Sequence, residues 1–165
     1  ARITRGLSAV TPENVAAAGI DGLRSFGLSQ RKAEYILHTA QKVISGEFIP
    51  SALRDANDEE AIETLCSLRG VGVWTAEMLL IFSLGRRDVL SFGDLGIQRG
   101  LRMLYRHKEI TPAIFDRYRK RYSPCGTLAS LYLWEISGGA LPGLTDPAAE
   151  KTGTKKLRSA SPAKR

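Results

Sequence analysis

The chain has 165 residues, 24 Lys and Arg against 17 Asp and Glu, and a formal net charge of +7. That length suits one folded domain with a real core, and no apolar run approaches the roughly 20 residues that span a bilayer. Two cysteines, Cys66 and Cys125, cannot build a Cys-rich cluster or a disulfide framework, so a reducing, intracellular setting is expected. No secretory signal pattern opens the sequence, which agrees.

Helix start signals recur along the chain. Thr11-Pro12 and Thr111-Pro112 each place a capping hydroxyl before a proline at the first helical position. Ser29 can cap a helix bearing Ala33, Ile36, Leu37, Ala40 and Ile44 at helical spacing. Asn57 with Glu60 forms a capping-box pattern ahead of Ile62, Leu65 and Cys66. Thr75 to Leu84 is apolar on nearly every side, so it reads as a central buried helix. Ile114, Phe115, Tyr118 and Tyr122 make a further amphipathic stripe, and Leu128 to Ile136 reads as a last helix stopped at Gly138-Gly139. No segment alternates over strand length, and the fold class expected is all-α and multi-helical.

A domain over residues 1–145 and a disordered basic tail over 146–165 are expected. The tail carries Lys151, Lys155, Lys156, Arg158, Lys164 and Arg165 against Glu150. It has too little apolar surface to fold. Most of the net charge therefore sits outside the domain and says little about a basic binding face. The tail reads either as a solubilising end or as a DNA-binding arm.

The most informative stretch is Leu68-Arg69-Gly70-Val71-Gly72-Val73-Trp74-Thr75-Ala76. Two glycines between helices permit a tight turn and close approach of a ligand to the backbone. The helix that follows then offers N–H groups and a partial positive charge to a phosphate. By itself Gly-x-Gly serves many helix turns for geometry alone. Downstream, Asp94-Leu95-Gly96-Ile97 places a lone acid where a helix begins. Such an aspartate reads either as an N-cap or as a catalytic group, and the two roles are compatible.

The hairpin string resembles the helix-hairpin-helix signature of the DNA glycosylase superfamily, in particular its 3-methyladenine (AlkA-type) branch. Three more stretches agree in order: Leu23 to Ser29 with Arg31 to Ile36, Asp88-Val89 through Asp94 to Gly100, and Tyr122-Ser123-Pro124 through Trp134. The resemblance spans residues 11–137. It implies that Gly70, Gly72 and Thr75 hold a DNA phosphate and that Asp94 is the catalytic acid. It further implies that Trp74, Met78 and Trp134 line a base pocket. A monovalent cation on the main-chain carbonyls of Cys66, Leu68 and Val71 is also implied.

The implied activity is removal of alkylated purines, of the 3-methyladenine and 7-methylguanine type, from double-stranded DNA by base flipping. A cationic base is a good leaving group, and indole faces attract it by about 0.5–2 kcal/mol. Bifunctional relatives carry a Schiff-base lysine where this chain has Trp74, so no strand cleavage is expected. Two cysteines cannot hold the iron–sulfur cluster of other relatives. No cofactor is required, and a monomer is expected. The branch normally has helices upstream of Thr11, so the domain is expected to be incomplete at its N-terminus and no DNA wedge residue can be named. Lys32, Arg69, Arg99 and Arg102 are candidate backbone contacts, whereas Arg117, Arg119, Lys120 and Arg121 read as a solvated face. His38 and His107 lack metal-ligand spacing. Two alternatives stay open: a non-catalytic helix-hairpin-helix DNA-binding module, or a glycosylase for another lesion.

Overall fold

In the computed structural model, which describes residues 2–149, eight α-helices and one 3-10 turn succeed one another without a strand among the described residues. They gather into two compact units that divide between Leu84 and Gly85. The tail from Glu150 onward, Lys151 to Arg165 included, lies outside the described residues.

The first unit holds α1 (Arg2–Gly6), α2 (Pro12–Ser25), α3 (Gln30–Ile44), a 3-10 turn (Pro50–Arg54), α4 (Asp58–Cys66) and α5 (Val73–Phe82). Its helix starts follow the local chemistry. Thr11 accepts the Asn14 N–H, Ser29 the Lys32 N–H, and Asn57 exchanges bonds with Glu60 in a capping box. Each such cap answers one of the N–H groups that a helix start leaves without an intrahelical partner. Helices α2 and α3 pack together over Val15, Leu23, Ala33 and Ala40, joined by Leu7. α2 bends at Gly19, whose φ of 61° and ψ of −173° interrupt the helix.

Helix α5 departs from the sequence expectation of a fully buried element. Ala76, Leu80 and Ile81 are buried, but Val73, Trp74 and Phe82 are exposed. An element apolar on every side carries no periodicity to say which face is covered. Val73 and Trp74 therefore project outward at its start and Phe82 at its end.

The turn between α4 and α5 is closed by Val71 N–H donating to the Leu68 carbonyl at 3.1 Å. Gly70 takes φ +88°, and a Cβ there would collide with the Tyr35 ring of α3. Two constraints thus converge on one residue: a left-handed backbone and an aromatic ring packed against the turn. The Arg69 guanidinium lies over the same ring, 5.6 Å from its centroid.

The second unit holds α6 (Leu95–Tyr105), α7 (Pro112–Tyr122) and α8 (Gly126–Gly138), with Thr111 capping α7 and Gly139, at φ 97°, closing α8. Leu90, Ile97, Leu101, Ile110, Phe115, Tyr118 and Leu133 form its core. α6 and α8 approach closely because Gly100 leaves room where any Cβ would strike the Leu133 carbonyl. On its outer side α8 leaves Leu128, Leu131 and Tyr132 exposed.

Asp88 ties this unit together. Its carboxylate accepts from Arg119 Nη1 at 2.8 Å, Ser123 Oγ at 2.7 Å and the Gly126 N–H at 2.8 Å, while Arg119 Nη2 reaches its carbonyl at 2.7 Å. Thr127 and Ser130 extend the join, Thr127 Oγ1 donating to the Arg86 carbonyl and Ser130 Oγ to that of Val89. Arg119 is therefore a structural cation rather than part of a solvated face. Arg117 and Arg121 stack over Tyr118 and Tyr105.

Two more polar groups are absorbed by the fold. Arg102 grips Asp146 with both ends of its guanidinium, at 2.9 and 2.6 Å. That use removes Arg102 from the candidate DNA contacts, and it secures Asp146, the first residue of the expected tail, to α6. His107 is half-buried, with Nε2 2.7 Å from the Tyr118 hydroxyl.

Burial by itself would raise the Asp88 carboxyl, but the bonds from Ser123, Arg119 and Gly126 together outweigh it and hold it below the usual range. The Arg102 bond does the same for Asp146. A carboxyl depressed on folding stabilises the native state at pH above its unfolded value, near 3.8, and that contribution is lost as pH falls through the folded value. Chemical denaturation should accordingly show stability that is flat above about pH 5 and declines below about pH 4. Asp88→Ala should lose about 2 kcal/mol at neutral pH and flatten the acid decline. Gly70→Ala should destabilise the first unit by about 1–3 kcal/mol in the same assay, through strain at positive φ and the clash with Tyr35.

Candidate nucleic-acid interface and candidate active site

The first unit presents a helix start without a side-chain cap. Gly72 occupies the capping position of α5 in extended conformation (φ −104°, ψ 174°) and has no side chain to bond the following amides. Elsewhere in this chain Thr11, Ser29, Asn57, Asp94 and Thr111 supply that bond. Gly70, Gly72, Val73 and Trp74 are exposed and Thr75 is half-buried at the third position of the helix. Such an end, with its partial positive charge, suits an anion carried on an accessible backbone.

Next to the turn lies a cavity of about 310 Å³ lined by Lys32, Tyr35, Ile36, Thr39, Arg69, Gly70 and Val71. Lys32 and Arg69, both read from sequence as backbone contacts, flank the glycine turn there. The resemblance supplied Trp74 and Met78 as base-pocket residues. They stand four apart on α5 and share a face; Trp74 is 49% exposed and Met78 is half-buried.

The second unit carries the acid. Asp94 is the N-cap of α6, its Oδ1 accepting the Ile97 N–H at 2.9 Å, so the capping role read from sequence is present. The same oxygen accepts the indole Nε1–H of Trp134, 40 residues downstream on α8, at 3.0 Å. Asp94 as a whole is 8% exposed. Both donors are neutral, unlike the guanidinium that meets Asp88.

The approach to Asp94 is braced. Gln98 Nε2 donates to the Phe92 carbonyl at 2.7 Å, and the Phe92 ring meets Phe115 edge-on at 5.2 Å. Phe92 and Leu95, which flank the acid, are both exposed, Leu95 at 79%. A carboxylate fixed at a helix start is placed to act on positive charge that develops beside it. Sequence reasoning missed the Trp134 bond and the Asp88 join, because both link positions more than 30 residues apart.

Among the described residues no cluster of His, Cys, Asp and Glu has the makings of a metal site, and no helix is long and apolar enough to cross a membrane.

Comparison with known proteins agrees with this geometry. Residues 1–124 match the model of the HhH-GPD superfamily base excision DNA repair protein. The chain is 38% identical over 130 residues to DNA-3-methyladenine glycosylase 1 of Schizosaccharomyces pombe, covering 77% of this chain and 57% of that protein. With DNA-3-methyladenine glycosylase 2 of Escherichia coli it shares 30% identity over 128 residues, 78% of this chain and 43% of the relative. The chain thus spans about half the length of these curated relatives. Among solved structures, a DNA-3-methyladenine glycosidase from Bacillus halodurans superposes with a TM-score of 0.73 at 39% identity, over 84% of this chain and 65% of the other. The Schizosaccharomyces pombe 3-methyladenine DNA glycosylase in complex with abasic DNA gives 0.71 at 34% identity, over 84% and 72%. With described residues that form helices and no strand, a glycine hairpin and a helix-capping aspartate, this chain belongs to the HhH-GPD superfamily of base excision DNA repair proteins.

Proposed function

We propose that this protein is a monofunctional DNA N-glycosylase that removes alkylated purines, such as 3-methyladenine and 7-methylguanine, from double-stranded DNA. The observation that carries the reading is the buried carboxylate of Asp94, pinned at the start of α6 in a chain of this family. Relatives named as 3-methyladenine glycosylases support the substrate class.

In this reading the amides after Gly70 and Gly72, with the Thr75 hydroxyl, hold a phosphate of the duplex. Trp74 and Met78, which share a face of α5, contact the extruded base. As the C1′–N bond breaks, its electron pair leaves with the base and neutralises the methylated purine. The positive charge left on the sugar is stabilised by the Asp94 carboxylate. Water oxygen then bonds C1′ and releases one proton to solvent, leaving an intact abasic site. Trp74 stands where a Schiff-base lysine would be needed for strand cleavage, and an indole cannot supply that nucleophile.

The carbonyls of Cys66, Leu68 and Val71 fit a monovalent cation in donor type. Cys66 ends α4, where carbonyls lack the partners of a helix interior, and Leu68 spends one lone pair on the Val71 N–H. A cation bound there would add positive charge beside the phosphate. No chemical step depends on it. The protein acts as a monomer on intracellular DNA.

The test is product analysis. Incubated with methylated duplex DNA, the protein should release free 3-methyladenine or 7-methylguanine, measured by chromatography, and the DNA should break only after alkali. Salt-sensitive duplex binding without any released base would contradict the enzymatic reading and favour a non-catalytic DNA-binding module. Release of an unmethylated or deaminated base alone would reassign the lesion.

A further inference from the structure

Asp94 is held from two helices, and the second hold has no counterpart in an ordinary helix cap. A capping aspartate needs only the N–H of its own helix, here that of Ile97. The indole Nε1–H of Trp134 brings a second donor to the same oxygen from α8. Two bonds from different helices fix both the position and the rotation of the carboxylate, where one bond leaves it free to swing.

The contact depends on space at a third residue. A Cβ at Gly96 would lie 2.8 Å from Trp134 Cδ1 and 3.1 Å from Asp94 Oδ1. Any side chain at position 96 therefore displaces the indole from the carboxylate. Gly96 has no positive φ to account for it; the indole does.

We propose that Trp134 is a positioning residue for Asp94, acting through its indole N–H rather than through its ring face, and that Gly96 provides the space for that contact. The proposal rests on the reading that Asp94 acts on the sugar. It differs from a role as base-pocket wall, in which the aromatic face matters and the nitrogen does not.

Three variants separate these roles. Trp134→Phe keeps an aromatic face and removes the donor. Gly96→Ala keeps the indole and the carboxylate but parts them. Asp94→Asn removes the charge. In single-turnover excision from a methylated duplex, Trp134→Phe and Gly96→Ala should each slow the reaction about tenfold or more, with DNA affinity changed by less than about twofold. The double variant should be no slower than the worse single one, because both break one contact. In the Asp94→Asn background neither change should matter. A full rate in Trp134→Phe, a loss confined to affinity for methylated DNA, or additive defects would overturn the proposal. Wild-type activity in Asp94→Asn would instead sink the catalytic reading beneath it.

A second measurement needs no activity. The ¹⁵N-labelled protein has two indole N–H signals, for Trp74 and Trp134, assigned with Trp74→Phe. The Trp134 signal should exchange slowly with solvent and shift in both Asp94→Asn and Gly96→Ala. A Trp134 signal that exchanges fast, or stays unmoved in both variants, refutes the contact in solution.

Discussion

A carboxylate buried at the start of a helix is stable only if its neighbours answer it with donors, and in this chain Asp94 is answered by an amide of α6 and by the indole of α8. The rest of the second unit is arranged around that requirement. α6 must run close to α8 for the indole to reach, which demands small residues at Gly96 and Gly100, one turn apart on the same face. The core of Leu90, Ile97, Leu101 and Leu133 then fixes the two helices against each other.

Two aspartates six residues apart show how environment assigns different work to one residue type. Asp88 faces a guanidinium, a hydroxyl and an amide, and its charge is spent joining the segment before α6 to α7 and α8. Asp94 instead accepts at Oδ1 from two neutral donors, the Ile97 amide and the Trp134 indole, at the start of α6. The first unit makes the complementary choice. It leaves the start of α5 without the side-chain cap that a serine, threonine, asparagine or aspartate supplies at other helix starts.

What sequence showed, and what it hid, divides by distance along the chain. The caps at Thr11, Ser29, Asn57, Asp94 and Thr111 were legible because they join residues three apart. The glycine turn was legible for the same reason, although Tyr35, the ring that helps force glycine at position 70, was not. Trp134 appeared as an aromatic on the last helix, and nothing local could aim its nitrogen at Asp94. The clasp of Arg102 on Asp146 and that of Arg119 on Asp88 were likewise out of reach. The sequence of α5 suggests a fully buried element because an evenly apolar helix gives no sign of which side meets solvent. The five-residue α1 and the 3-10 turn at Pro50–Arg54 carry too few residues to show a period.

The central claim is that the charge on Asp94 lowers the barrier to base release, separately from binding DNA. Its most direct measurement compares wild type with Asp94→Asn in single-turnover excision at saturating methylated duplex, with Kd determined alongside. The account predicts a rate lower by about 10²-fold or more with Kd and thermal midpoint nearly unchanged. An undiminished rate in that variant, on a folded protein that still binds the duplex, would contradict it.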